Sequence, residues 1–226
     1  MVKEILYYTD NVLYRTPLGI IVKEQILKAN LPIISVSLAP IDFGRNIVFE
    51  GRKSCSTMFK QILIGLKASK ADFIFMCEHD DLYHPSHFDF IPPRDDIYYY
   101  NNNVWKYRLS DKRVITYDCK WLSQCCAARK ILIEHYENKL ARIAEGKRAY
   151  GYEPGIGQSK YLTPYKSEGW ESEYPNVVIR HTRNWSFRKG MKEEEFEDKE
   201  KFKNWREIKV EDITGWDTEL LLSLAE

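Results

Sequence analysis

The sequence predicts an α/β fold in which flanking helices cover a mostly parallel central sheet, with a small antiparallel element added. In the first 90 residues, three apolar runs of strand length alternate with two segments of helical periodicity, and the connections are short. This alternation is typical of parallel strands joined by right-handed helical crossovers. The second half lacks the alternation and contains neighbouring extended segments, which predict the antiparallel element.

Each element of the first half is predicted from its own pattern. Continuous apolar runs indicate strands buried on both faces, and apolar residues three and four positions apart indicate helices. Ser54 or Ser56 is a suitable N-cap for the second helix. In chain order, the predicted elements are a strand at Lys3–Tyr8, a helix at Leu18–Ala29, a strand at Pro32–Leu38, a loop around Phe43–Asn46, a helix at Ser54–Ser69 and a strand at Phe73–Cys77.

The second half is predicted to contain a hairpin, a long helix, a long loop and a last strand. The loop is rich in Gly, Pro and Tyr, and loops of this length are often functional. The elements are extended segments at Asp96–Tyr107 and Arg113–Asp118 joined by a turn at Leu109–Lys112, a helix at Leu122–Glu145, a loop over residues 150–175, a strand at Asn176–Arg180, and a charged helix after residue 190 that packs by Phe196, Phe202 and Trp205. We therefore expect one domain over residues 1–190, divided near residue 90 into halves 1–90 and 91–190, and a charged helical tail over 191–226.

Composition narrows the class of protein. The net charge of +1 excludes a uniformly basic nucleic-acid-binding surface but leaves room for a local basic face. The five cysteines include no C-x-x-C pair, which favours reduced thiols in a cytoplasm. The N-terminal residues lack the apolar core of a signal peptide, and no apolar run approaches the ~20 residues that span a bilayer. We expect a cytoplasmic protein without a membrane span, and the sequence leaves its oligomeric state open.

The most informative feature is a cluster of carboxylates directly after the predicted strand Phe73–Cys77. Glu78, Asp80 and Asp81 then lie at the carboxyl edge of the sheet, where open α/β folds bind ligands. Carboxylate oxygens suit Mg²⁺ or Mn²⁺ when phosphate oxygens complete the coordination shell. The alternative is a solvated acidic loop, and the position at the end of a buried strand favours the metal site.

Three histidines in the same loop raise a zinc alternative. His79, His84 and His87 lack the helical spacing of zinc peptidases, and no nearby cysteine completes a structural zinc site. His84 and His87 are equally compatible with capping the loop or packing under Phe88. Magnesium or manganese is the favoured interpretation.

A basic segment follows the last predicted strand. His181 is positioned to add a nitrogen ligand to a metal held by carboxylates, and the cations after it suit a diphosphate. The alternative is a packed histidine followed by a solvated basic face. The cations proposed to contact the diphosphate are Arg183, Arg188 and Lys189.

Glu153 is the candidate general base. It lies in a frame of Gly and Pro between aromatic residues, and partial burial there suits a carboxylate that takes a proton from an acceptor hydroxyl. A turn carboxylate that caps its own backbone is an equally plausible interpretation.

The end of the first strand is the candidate nucleotide-binding position. Tyr8, Thr9 and Asp10 lie where such sheets bind a base or ribose, and Arg52 and Gln61 flank the start of the next helix. The chain contains neither G-x-G-x-x-G nor G-x-x-x-x-G-K-[ST], so neither a dinucleotide-binding fold nor a P-loop is supported. Metal and basic side chains therefore have to balance the phosphate charge.

Taken in order, several motifs resemble those of nucleotide-sugar glycosyltransferases of the GT-A type. They are YYTDN, PIISVSL, FGRNIV, STMFKQIL, EHDDLYHPSHFDFIPP and VIRHTRNWS, and they cover most of residues 3–190. EHDD is similar to the metal-binding Asp-x-Asp region of that class, with Glu78 in the first acidic position. More narrowly, the set resembles small glycosyltransferase-like proteins of phage and bacterial genomes.

The resemblance implies a GT-A, Rossmann-like fold and a metal-dependent hexosyltransferase of the inverting type. A nucleoside diphosphate sugar, expected to be a UDP-sugar, would bind the first half, with Asp10 at the uracil or ribose. Asp80, with Glu78 or Asp81, would hold Mn²⁺ or Mg²⁺, His181 would be a further ligand, and Glu153 falls near the family's catalytic carboxylate. The acceptor is expected to be a hydroxymethylated DNA base or a glycan.

Two rival functions remain open from the sequence. One is a metal-dependent hydrolase or nuclease that uses the Glu-His-Asp-Asp loop, with the basic stretch 180–192 as a phosphodiester cradle. The other is a catalytically inactive module of similar fold that binds the nucleotide without turnover.

Overall fold

The computed structural model describes residues 1–181 and 191–225. The helices are α1 (Pro17–Leu27), α2 (Cys55–Ala68), α3 (Arg129–Ala144), α4 (Met191–Glu197) and α5 (Thr218–Ser223). The strands are β1 (Lys3–Tyr8), β2 (Ile33–Ser37), β3 (Arg45–Val48), β4 (Phe73–Cys77), β5 (Asp81–Leu82), β6 (Ile97–Asn101), β7 (Val104–Arg108), β8 (Arg113–Thr116), β9 (Cys125–Ala128), β10 (Lys166–Trp170), β11 (Asn176–Arg180) and β12 (Arg206–Ile208). Short 3₁₀ helices lie at Pro85–Asp89, Leu122–Gln124, Gly157–Tyr161, Lys199–Lys201 and Val210–Asp212.

In the described ranges, the larger sheet has seven strands in the order β10-β6-β9-β4-β1-β2-β3. Every neighbouring pair is parallel except those of β9, which runs antiparallel to β4 and β6. The carboxyl ends of β1, β2, β3, β4, β6 and β10 therefore meet at one edge. The prediction of an α/β fold with a mostly parallel central sheet and flanking helices is confirmed.

Both faces of this sheet are covered, which explains its continuous apolar strands. In β1, Ile5 and Tyr7 pack in the core that includes α1, whereas Leu6 and Tyr8 pack in the core that includes α2 and α3. Helix α2 lies very close to the sheet, because a Cβ atom at Gly65 would come within 2.3 Å of the Leu6 side chain.

The smaller sheet has the order β12-β8-β7-β11-β5 among the described residues. β7 and β8 form the predicted hairpin, and β11 runs parallel to β7. The two-residue strand β5 pairs antiparallel with β11, and the Ile179 N–H donates to the Asp80 carbonyl oxygen at 2.9 Å. This pairing places the chain after β4 beside the end of β11.

The prediction for residues 96–107 was wrong in one respect: the segment is two strands, not one. β6 belongs to the larger sheet and β7 to the smaller, and the chain changes sheets at Asn102 and Asn103. The Asn101 side-chain oxygen accepts from the Asn103 N–H at 3.0 Å, which stabilises the change of direction.

The predicted start of the helix at Leu122 was also wrong, because α3 begins at Arg129. Residues 122–124 form a 3₁₀ helix, and β9 is inserted between β4 and β6. β9 has the sequence CCAA, and its small side chains fit between the aromatic-rich strands FIFMC and IYYYN. Pairing on both sides overrides the local helical preference.

Two predicted loops contain edge strands. β3 forms within the predicted loop around Phe43–Asn46, and β10 forms within the loop 150–175. Each pairs on one side with the larger sheet, and polar side chains at such edges leave little apolar signal in the sequence.

The segment after residue 191 adds to the smaller sheet. α4 covers seven residues, and β12 pairs antiparallel with β8. Phe196 is buried, as expected, whereas Phe202 and Trp205 are partly buried. None of the helices in residues 1–181 and 191–225 combines the length and apolar character that a membrane crossing requires.

Candidate active site

A pocket of about 310 Å³ opens at the carboxyl edge of the larger sheet. Its walls come from the ends of β1 and β4, the start of α2 and the loop that carries Glu153. Pockets of this size at such an edge are typical ligand sites of α/β folds. The pocket therefore brings together the predicted nucleotide, carboxylate and base positions.

Asp80, which lines the pocket, lies next to His181. Asp80 Oδ2 lies 3.7 Å from His181 Nε2, and the side chains are 14% and 10% exposed. Burial by itself raises the pKa of Asp80, but His181, His79 and Arg180 together lower it to about 2. Asp80 is therefore ionised at neutral pH. The contact follows from the pairing of β5 with β11, which no local pattern of the sequence indicates.

Asp81 points away from the pocket. It is 1% exposed, and its Oδ2 accepts a hydrogen bond from Gln124 Nε2 at 2.9 Å. Burial, with the neighbouring charge of Asp80, raises its pKa to about 7. In β5 its backbone pairs with Val178. The alternation of side chains along an extended chain separates Asp80 from Asp81.

Glu78 lines the pocket but is held by a tyrosine. Tyr8 Oη donates to Glu78 Oε1 at 2.5 Å, and the Glu78 N–H donates to Tyr83 Oη at 2.8 Å. Burial, followed by the charges of Asp80 and Asp81, raises the pKa of Glu78 to about 8. This carboxyl group is therefore mostly protonated at neutral pH. The hydroxyl of Tyr8, predicted as a nucleotide contact, is used in this bond.

The arrangement fits a cation shared with a bound ligand. Among residues 1–181 and 191–225, no three His, Cys, Asp or Glu side chains are grouped so that they could hold a metal by themselves. Two ligand atoms of one Mg²⁺ ion lie within about 4.2 Å of each other, and Mg²⁺ commonly takes one or two protein ligands together with substrate phosphates. The 3.7 Å between Asp80 and His181 meets this condition.

The three loop histidines do not converge. His79 Nδ1 is 2.8 Å from Thr9 Oγ1, whereas His84 Nδ1 accepts from the Ser86 N–H at 3.2 Å and caps a 3₁₀ turn. His87 is fully buried, and its Nδ1 lies 3.0 Å from Asn176 Nδ2. The three histidines therefore do not assemble the ligand set that the zinc interpretation requires, and of the three it is His79 that lines the pocket with Asp80.

The end of the pocket that is predicted to bind the nucleotide contains Asp10. Asp10 forms an ion pair with Lys53 and accepts from the Val12 N–H at 3.0 Å. Lys53 lines the pocket, whereas Arg52 is exposed and is not part of the wall. The sequence predicted a cation before α2 as a ligand contact. The predicted residue was Arg52, whereas its neighbour Lys53 is the one that lines the pocket. Only the direction of the side chains distinguishes the two.

Gln61 lines the pocket and holds its floor. The side chain is 3% exposed, and its Nε2 donates to the carbonyl oxygens of Thr9 at 2.9 Å and Val36 at 3.3 Å. These bonds tie α2 to the ends of β1 and β2. In the structure, the Gln61 amide therefore positions the backbone at the ends of these two strands.

Glu153 enters the same pocket from the loop after α3. Its side chain is 29% exposed, and Oε1 lies 3.9 Å from Nζ of the fully buried Lys139. Lys139 also donates to the Tyr152 carbonyl at 3.1 Å and lies 3.9 Å from the centre of the Phe59 ring. Sequence reasoning missed Lys139, because a lysine within a predicted helix is normally solvated.

Side chains of β6 and β10 hold the loop that carries Glu153. Tyr100 Oη donates to the Pro154 carbonyl at 2.7 Å, and Ser167 Oγ donates to the Gly155 carbonyl at 2.9 Å. These bonds from β6 and β10 hold the loop of Glu153 in place.

The basic residues predicted to contact the diphosphate, Arg183, Arg188 and Lys189, lie outside the described residues.

No protein-family model matches the chain, and no curated protein matches it. Solved structures that it is similar to include a nucleotidyl transferase from Methanothermobacter, at 11% identity and a TM-score of 0.45 over 76% of this chain and 88% of that one. A mannosyltransferase from Pyrobaculum calidifontis, solved with GDP-Man and Mn²⁺, has 10% identity and a TM-score of 0.47 over 81% of this chain and 58% of its own length. A glycosyltransferase involved in glycosylation of the major capsid of PBCV-1 has 9% identity and a TM-score of 0.45 over 76% of this chain and 82% of that one.

These three proteins are nucleotidyl or glycosyl transferases. Likeness at this level of identity and TM-score assigns no activity, substrate or cofactor to the chain.

Proposed function

We propose that the protein is a metal-dependent glycosyltransferase that moves a hexose from a nucleoside diphosphate sugar, a UDP-sugar, to an acceptor hydroxyl. The observation that carries the proposal is the shared pocket of Asp80 and Glu153 at the carboxyl edge of the sheet. One of these carboxylates is paired with a histidine and the other with a buried lysine. The two groups therefore suit different tasks.

Asp80 and His181 are the proposed ligands of Mg²⁺ or Mn²⁺, with the diphosphate oxygens of the donor completing the shell. When bound, such a cation neutralises the charge that develops on the departing diphosphate. Asp80, ionised at neutral pH, supplies the negative charge that favours the cation. Glu78 remains a contact of Tyr8 at the wall, and Asp81 has no direct part in this site.

Asp10 and Lys53 are proposed to receive the nucleoside. A carboxylate accepts hydrogen bonds from ribose hydroxyls or from a base N–H, and the adjacent ammonium group donates to acceptor oxygens of the base. The strand end at Thr9 is fixed by Gln61, so these groups are held in place before the donor binds. Arg183, Arg188 and Lys189 remain proposed contacts of the diphosphate.

Glu153 is the proposed general base. It takes the proton of the acceptor hydroxyl while that oxygen forms a bond to the anomeric carbon and the bond from this carbon to the diphosphate breaks. A single displacement of this kind inverts the anomeric configuration. The buried Lys139, at 3.9 Å, compensates the charge of the Glu153 carboxylate and holds its loop through the Tyr152 carbonyl.

The variant Glu153→Gln tests the proposal. We expect it to bind UDP-glucose, UDP-GlcNAc or UDP-galactose with Mn²⁺ as the wild type does, measured by calorimetry, because the amide keeps the shape of the side chain. Transfer to acceptor should fall about 10²–10⁴-fold, because a positioned base contributes that factor.

The matched control is Glu145→Gln, which removes an exposed carboxylate at the end of α3 and should leave both measurements unchanged. Loss of donor affinity in Glu153→Gln would make Glu153 a donor contact. Undiminished transfer would exclude it as the base.

A further inference from the structure

A second cavity, of about 1020 Å³, opens at the same carboxyl edge of the larger sheet. It begins where β6 and β10 end, at Asn102 and Glu171, and it is closed by the residues after β8 and before β12. Since β6 and β10 are parallel to β4, the two cavities lie along one edge, separated by the start of β9.

The two cavities share a wall. Glu153 lines the first cavity, and Ile156, three residues later, lines the second. The segment between them is held by Tyr100 and Ser167, as described above, and Lys120 Nζ donates to Ser167 Oγ at 3.0 Å from the side of the second cavity. The second cavity therefore lies beside the loop that carries the proposed base.

One wall of the second cavity is an oriented aromatic ring. Trp205 lines it, half-buried, and its Nε1 donates to the Glu195 carbonyl at 2.9 Å. This bond fixes the plane of the indole. A fixed indole offers apolar surface with little entropy to lose, and its ring face suits the C–H face of a pyranose.

Most of the remaining side chains are polar, and they include planar amides and charged groups of both signs. Asn102 and Glu171 are exposed at the rim, and between them they can donate to and accept from hydroxyl groups. The cavity also includes Lys120, Arg206 and Asp118, so its two cations are balanced by two carboxylates. A nucleic acid would require an excess of cations to replace its counterions. Balanced charge with many hydrogen-bonding groups favours an uncharged, hydroxyl-rich ligand.

We infer that this second cavity binds a neutral oligosaccharide, which is the acceptor of the transfer reaction. Saccharide binding stands on the cavity alone, whereas the role as acceptor rests on the proposed function. The volume lies at the upper end of the range for ligand pockets, so it admits more than one sugar ring.

The test is binding of the full chain to an array of neutral oligosaccharides, alongside a duplex with hydroxymethylated cytosines. We expect selected glycans to be retained and the duplex not to be. The double variant Asn102→Ala, Glu171→Ala should weaken the best glycan at least tenfold by calorimetry. Its matched control is Glu173→Ala, an exposed carboxylate outside the cavity, which should bind as the wild type does.

The variant Asp80→Ala separates this inference from the proposed function. It should keep the glycan affinity and lose Mn²⁺-dependent donor binding. Glycan binding without any donor turnover by the wild type would remove the transfer reaction and leave the saccharide site in place. Retention of no glycan, unchanged glycan affinity in the double variant, or capture of the duplex in place of glycans would overturn the inference.

Discussion

Three carboxylates within four positions of the chain have different environments. Glu78 is bonded to Tyr8, Asp80 faces His181, and Asp81 is buried against Gln124. The sequence identified the cluster and its place at the end of a strand, but it left open which carboxylates would hold the proposed metal. Backbone pairing of β5 with β11 separates Asp80 from Asp81, because it turns neighbouring side chains in opposite directions.

The pair Asp80→Asn and Asp81→Asn tests this division at the level of single residues. Asp80→Asn should weaken Mn²⁺-dependent binding of the donor by at least about 100-fold, since it removes the negative charge of the proposed ligand. Asp81→Asn should bind as the wild type does, because an amide oxygen can still accept from Gln124. Calorimetric titration of UDP-glucose with and without Mn²⁺ measures both. Equal loss in a folded Asp81→Asn protein would contradict the assignment.

His87 should make the stability depend on pH. Burial lowers its pKa to about 3, whereas the unfolded chain has a value near 6.5. As the pH falls below 6.5, the unfolded state binds the proton first, so the contribution of His87, complete above that pH, is lost progressively down to about pH 3. We expect the wild type to lose about 1.4 kcal/mol per pH unit relative to His87→Gln in this window.

The contribution of His87 is isolated by the difference in unfolding free energy between the wild type and His87→Gln. Glu78 and Asp81 have raised pKa values and change the stability in the opposite sense over part of the same range. Urea unfolding of both proteins between pH 4 and 7 measures the difference, and parallel pH profiles would show that the ring is not the titrating group.

At the scale of elements, the strands predicted best were those that are buried on both faces and therefore appear in the sequence as short apolar runs. β1, β2, β4 and β11 each appear at the predicted place, with bounds within one residue of those predicted. β9 was missed because its four small residues carry no strand pattern of their own, and its place between β4 and β6 is a long-range property. β12 was also missed, because its formation depends on long-range pairing: among the described residues it is an edge strand whose partner is β8.

A buried carboxylate contributes to the attachment of α4 to the smaller sheet. Glu195, 4% exposed, pairs with the fully buried Lys106 and, at 2.9 Å, with Arg180. Glu195→Gln removes the carboxylate that pairs with Lys106 and Arg180, and breaking a buried pair of this kind costs about 3–5 kcal/mol. Chemical denaturation should therefore show a lower free energy of unfolding by that amount.

The matched control for Glu195 is Glu197→Gln on the same helix. Glu197 is 60% exposed and pairs with Arg108 and Arg113. Exposed pairs of this kind contribute about 0–1 kcal/mol. Similar losses in both variants would mean that the buried pairing of Glu195 contributes no more than a surface ion pair.

At the scale of the whole molecule, the chain passes repeatedly between the two sheets. β4 lies in the larger sheet, β5 in the smaller, β6 in the larger and β7 in the smaller, and β9 to β11 repeat the exchange. Neither sheet is therefore a continuous piece of sequence. The Asp80–His181 contact is made across this exchange, since β5 follows β4 directly and pairs with the distant β11.

This interleaving predicts a single cooperative unfolding transition for the described fold. Separate units would require each sheet to form from its own stretch of chain, which the strand order does not allow. Scanning calorimetry should give a ratio of calorimetric to van 't Hoff enthalpy close to one. Two resolved transitions, or loss of near- and far-ultraviolet circular dichroism at different temperatures, would contradict it.

Local patterns of the sequence were enough for the fold class, the main parallel strands and the position of the carboxylate cluster after β4. A buried strand needs apolar residues on both faces and ends where polar residues begin, so Phe73–Cys77 and the carboxylates after it are visible in the sequence. The choice of Lys53 over Arg52, the separation of Asp80 from Asp81, the pairing of Glu153 with Lys139 and the second cavity depend on contacts between distant segments. Those contacts are set by strand pairing and side-chain direction, which become definite only when the whole chain has packed.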